Sequence, residues 1–138
     1  MHHSRLSALV LDCPTEDLQA AAEFWSAALG RKIATLDQDG DGKYAELETA
    51  ADEPFLLLQK VEHEARLHLD IETDDIDAEV ARLEKLGAQK IAFVKHWWIM
   101  QAPTGHRFLR RAQAAVEGRQ AQRVAVGVRF IEPASQQP

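Results

Sequence analysis

At 138 residues, the chain has the size of one domain with a single core, which leaves little room for a second independent domain. Its 46% hydrophobic and 28% charged residues match a soluble globular protein, and no apolar run approaches the roughly 20 residues that cross a bilayer. A net charge of -6 argues against nucleic acid as a partner, because phosphate backbones demand clustered lysine and arginine.

The first segment, RLSALVLDC at 5–13, alternates as a strand. Pro14 and Thr15 then prepare a helix start, and Glu16 and Asp17 sit favourably against the positive end of the helix dipole. Leu18, Ala21, Ala22, Trp25 and Leu29 recur at helical spacing, which predicts a helix over 16–29 with one apolar stripe, ended by Gly30 in a left-handed cap. KIATLD, KYAELE and PFLLLQKV follow as three short strands.

The pattern then repeats. LHLDIE at 67–72 is a strand, and Thr73 can cap a helix with Asp74, Asp75 and Asp77 in its first turn and Ile76, Val80 and Leu83 on its apolar face. Gly87 ends that helix, and KIAFV, WWIMQA and HRFLRR read as three more strands, the last two joined by the turn sequence PTG. Even the helix exits echo each other, ALGRKIA at 28–34 and KLGAQKIA at 85–92, as expected of two supersecondary units of α+β class.

Two βαβββ units, FW near the end of the first helix followed by ALG, LGA closing the second helix, and APTGHRF before the last strand together resemble the glyoxalase/bleomycin-resistance, or vicinal oxygen chelate, superfamily over about residues 6–111. LDCP, LLLQKV and HLDIETDDIDAEVARLEKLGA resemble its glyoxalase-like branch. The resemblance implies two modules, about 5–61 and 66–111, each curling into half of a cup as a curved mixed sheet or open barrel. It also implies four metal ligands, histidines and glutamates, from the first, fourth, fifth and eighth strands. Carried over, these fall near Ala8 and at Gln59, His68 and Leu109. One imidazole and one neutral amide are too few for a metal of the family type. His68 is therefore expected to line the cup without a metal, with Gln59 or Asp70 as its companion ligand in the alternative that a divalent metal binds.

Alternation in the last strand turns Arg107 toward the cup, where it could orient an anionic group or pair with Asp70. Trp98 and Met100 share a face, and turned inward they would suit a flat apolar or aromatic ligand. DQDGDGKYAELE, residues 37–48, satisfies the calcium-loop pattern with Asp37, Asp39, Asp41, Gly42 and Glu48, but it lacks flanking helices and reads as an acidic hairpin. HEARLH from His63 spaces its histidines one residue too far apart for a zinc-protease helix. The single Cys13 has acidic neighbours and reads as structural.

Residues 112–138 lie outside the resemblance. VAVGVRFIE within them has strand character, and the final PASQQP is expected to be disordered. An added strand needs an edge, and together with the pairing common in the superfamily this favours a homodimer. The lone cysteine and the absence of a signal-peptide core place the chain in the cytoplasm, with no membrane partner. The expected function is binding of an apolar or aromatic small molecule, with no cofactor. The alternatives are a metal-dependent lyase, isomerase or dioxygenase, and a small dimeric module whose partner is another protein.

Overall fold

A computed structural model gives the fold and describes residues 2–36, 42–94 and 97–112. The element order is β1 (Ser4–Cys13), α1 (Leu18–Leu29), β2 (Ile33–Leu36), β3 (Tyr44–Leu47), β4 (Phe55–Lys60), β5 (Arg66–Thr73), α2 (Ile76–Lys85), β6 (Gln89–Val94), β7 (Trp97–Gln101) and β8 (Arg107–Ala112). This is βαβββ written twice, the α+β class expected from the sequence.

Both helices begin with the same device. Asp17 caps α1 by accepting from the Ala20 amide, and Asp75 caps α2 by accepting from the Ala78 amide. Two residues before each cap stands a threonine whose hydroxyl accepts from the aspartate's own backbone N–H, Thr15 for Asp17 and Thr73 for Asp75. Capping therefore falls to the aspartates, because their carboxylates reach the orphan amides of the first turn while the threonines shape the approach. Gly30 adopts the left-handed conformation at φ 65° and ends α1 as its position predicts. Gly87 has φ 101°, and a Cβ there would meet Pro103 Cγ at 3.1 Å.

The chain divides into two compact units, Ala8–His68 on one side and Met1–Ser7 with the residues from Leu69 onward on the other. The divisions fall inside β1 and β5, so each of these long strands serves both units, whereas the sequence repeat places the change between strands. Within the first unit the strand order is β2-β3-β4-β1, with β1 and β4 parallel and the other neighbours antiparallel. In the second it is β5-β8-β7-β6, with β5 and β8 the parallel pair.

Each unit has its own apolar core. Leu18 and Ala22 of α1 pack with Ala45, Leu47 and Leu58, and Leu11, Cys13, Ala21 and Trp25 close around them. Leu29, expected on the same stripe, is exposed. In the second unit Val80 and Leu83 of α2 pack with Ala88 and Met100, against Trp98 and Phe108.

The second unit also buries charge. Arg5, only 3% exposed, donates through Nε and Nη2 to Glu72 Oε2 at 3.1 and 2.9 Å, and the Ser4 hydroxyl bonds to that of Thr73. Glu79, fully buried on α2, is held by Arg82 and His2. Removing one member of a buried ion pair leaves the other desolvated. Arg5→Ala is therefore expected to lower unfolding free energy by about 3–5 kcal/mol, against about 1 kcal/mol for Asp17→Ala, in urea titrations of both variants.

The His3 amide donates to Asp74 Oδ1 at 2.7 Å, and this bond holds the Asp74 carboxyl below its ordinary value. A carboxylate with a depressed pKa stabilises the fold above the ordinary carboxylate range, and the contribution fades as pH falls through the lowered value. The stability advantage over Asp74→Asn is accordingly present at neutral pH and vanishes on strong acidification, as measured by denaturant unfolding across that range.

Candidate functional site

The face of the first unit's sheet that turns away from α1 is assembled by alternation. Ala45, Leu47, Leu56, Leu58, Leu11 and Cys13 point into the helix-covered core. The intervening residues Tyr44, Glu46, Phe55, Leu57, Gln59, Val10 and Asp12 therefore share the opposite face. Register brings the polar ones together, since Asp12 lies beside Gln59 and Tyr44 opposite Gln59. Gln59 Nε2 donates to Tyr44 Oη at 3.2 Å.

His68, on β5 but within the first unit, meets this face at Asp12: its Nδ1 is 2.9 Å from Asp12 Oδ2, with the two side chains 8% and 5% exposed. A carboxylate only accepts, so Nδ1 carries the proton in this bond. His63 approaches the same carboxylate oxygen through Nε2 at 3.7 Å while its Nδ1 donates to the Glu64 carbonyl at 2.8 Å. The contact with Asp12 is an ion pair only when His63 is protonated. Asp12 Oδ1 is buried without a hydrogen-bond partner among the described residues.

The structure thus brings His68 and Gln59 onto one unit with Asp12, Tyr44 and His63, three residues that sequence reasoning did not place at the site. Asp12 and His68 are 56 positions apart, and only the fold joins them. For His63 the signal was the HEARLH string itself, read there only against a helical spacing.

Other expected residues go elsewhere. Asp70 is buried in the second unit. Arg107 is exposed and donates from Nε to Gln101 Oε1 at 3.0 Å, its register partner on β7, so the suggested ion pair with Asp70 is replaced by this bond. Trp98 and Met100, expected to face a cup, lie instead on the α2 side: Met100 is fully buried with Val80 and Leu83, and Trp98 packs against the same cluster. The cause is register, because Met100 pairs with Phe108, the β8 residue that faces the helix. Of the calcium-like string, Asp37, Asp39 and Asp41 lie outside the described residues, and the flanking β2 and β3 pair antiparallel. The strand-like segment beyond residue 112 is also outside them.

The metal positions implied by the resemblance can be tested against this geometry. Neither alanine at position 8 nor leucine at 109 offers a donor atom, and Gln59 is neutral and tied to Tyr44. Among the described residues no group of three or more His, Cys, Asp or Glu is placed to hold a metal ion. The residues present do not fit a four-ligand site of the family type.

Cys13 is the neighbour of Asp12 on the helix side. Burial first, then the Asp12 charge, pushes its thiol above the ordinary cysteine value. Cys13 is therefore expected to react with a disulfide reagent at neutral pH at least tenfold more slowly in the folded chain than after denaturation, followed by thiolate absorbance.

The model of a family described as a glyoxalase-like domain matches residues 8–109. Among solved structures, methylmalonyl-CoA epimerase from Streptomyces coelicolor, in complex with 2-nitronate-propionyl-CoA, is 19% identical at TM-score 0.59, covering 80% of this chain and 98% of that one. The epimerase from Mycobacterium tuberculosis is 18% identical at TM-score 0.57, covering 80% and 89%. A variant of homoprotocatechuate 2,3-dioxygenase from B. fuscum is 19% identical at TM-score 0.55, covering 90% of this chain but 36% of that one. No curated protein matches the sequence.

Proposed function

Because the chain belongs to the glyoxalase-like domain family, within the vicinal oxygen chelate superfamily, we propose that it binds a small molecule on the sheet face carrying His68, Gln59 and Tyr44, without a resident metal. The observation that carries this reading is the buried Asp12–His68 hydrogen bond. Asp12 holds the imidazole by Nδ1 and fixes its orientation, so His68 is the polar group placed to meet a ligand's acidic O–H. Gln59 and Tyr44 supply oriented polar groups beside it, and Phe55, Leu57 and Val10 give the same face an apolar floor. The ligand class that fits is an apolar or aromatic body bearing one hydroxyl, enol or acid group.

The same arrangement could serve as a proton acceptor in catalysis, since a carboxylate-held imidazole is how a general base is positioned. Binding is the part that the geometry supports without an added reactant. We extend the proposal to a homodimer in a reducing compartment. β6, at the end of the second unit's strand order, exposes Ile91, Phe93 and Val94, an apolar edge of the kind a second copy covers.

The test is a thermal-shift screen of aromatic and aliphatic hydroxy and keto acids on the intact chain, with metal content measured on the same preparations. A ligand at a hundredfold excess over its Kd should stabilise by about 2.7 kcal/mol. That gain should disappear in His68→Ala, and Asp12→Asn, which disturbs the donor sense at Nδ1, should weaken binding by roughly tenfold or more. Near-stoichiometric metal lost in His68→Ala would overturn the metal-free reading, and ligand stabilisation indifferent to His68→Ala would overturn the site.

A further inference from the structure

A second recess lies on the other side of the first unit's sheet, the side that α1 covers. It is an open cleft of about 470 Å³ where the end of β1, one side of α1 and the start of β5 meet. Its walls are apolar, made by Leu11, Pro14, Ala21, Phe24 and Trp25, and its volume falls within the range of small-molecule pockets. Phe24 and Trp25 meet edge to face, with ring centroids 5.1 Å apart and planes at 83°, forming a corner into which a third ring can stack. Phe24 is 62% exposed, so its ring is accessible to a ligand.

Two charged residues border the cleft, Asp12 and Arg66. Asp12 is buried and its Oδ2 is already held by His68. Arg66 is exposed and makes no hydrogen bond or ion pair among the described residues. The accessible charge at the rim is therefore positive, a guanidinium placed beside an aromatic corner. Such a fork matches a carboxylate through two parallel N–H donors.

We propose that this cleft is a second ligand site, separate from the His68 face, that takes an aromatic carboxylate, its ring against Phe24 and Trp25 and its carboxylate on Arg66. Shape and charge are supplied by different elements, α1 and the start of β5, so the site selects ligands that have both a ring and an anion at the right separation.

The experiment is an NMR titration of the intact chain with phenylacetate and, as its neutral isostere, phenylacetamide, following the Trp25 indole N–H. Ligands this small are expected to bind with a Kd on the order of 1–10 mM. Phenylacetate should shift the Trp25 signal saturably and more tightly than phenylacetamide. Arg66→Gln should weaken phenylacetate by roughly three- to tenfold and leave phenylacetamide unchanged, as expected of one exposed charge contact. Phe24→Ala, at an exposed position outside the core, should weaken both, and His68→Gln should weaken neither. No saturable Trp25 shift by about 10 mM would overturn the proposal. So would binding lost in His68→Gln but kept in Phe24→Ala and Arg66→Gln, which would move the carboxylate to the sheet face and leave the first proposal standing.

Discussion

A charge taken out of water must be matched by another charge or by hydrogen bonds, and β1 and β5 are built around that constraint. Both strands carry ionisable side chains into the protein interior. Arg5 answers Glu72 in the second unit, and Asp12 answers His68 in the first. Each match adds to the register that the buried apolar faces already specify, because a slip would leave a guanidinium or carboxylate desolvated without its partner.

The Asp12–His68 pair is where architecture and chemistry coincide. The hydrogen bond that makes burial of Asp12 tolerable also decides which imidazole nitrogen bears the proton, so the site's chemistry follows from a packing requirement. A metal centre of the superfamily's kind needs ligands from four strands. Of the positions that the resemblance implies, two hold alanine and leucine, and the remaining histidine is oriented by a carboxylate four residues along β1 from Ala8. At 18–19% identity the epimerases and the dioxygenase share the fold with this chain, and that level of likeness says nothing about shared chemistry.

Much of the fold was legible in the sequence because its signals are local. Alternation located every strand among the described residues, Gly30 ended its helix at a positive φ, and PTG turned the last hairpin. The capping positions were read from the right residues but assigned two places early in the second helix, since threonine and aspartate are both good caps and only geometry separates their tasks. The site was less legible. Alternation says that Trp98 and Met100 share a face, but which face depends on the β7–β8 register, in which Met100 pairs with Phe108, and no local pattern prints that register. Asp12 was missed for the same reason: its partner is far along the chain, and beside Cys13 it reads only as a neighbouring negative charge.

The division of β1 between two units has a consequence for how the molecule comes into being. Ala8–His68 is contiguous, so during synthesis it can begin to organise once residue 68 has emerged. Ser4 and Arg5 are made well before their partners, since Thr73 and Glu72 are among the last of the long strands' residues to appear. The start of β1 must therefore wait, with a guanidinium in solvent, for partners nearly 70 positions later. A nascent chain halted before residue 68 would hold Asp12 without the His68 imidazole, and β1 would be left open to other chains.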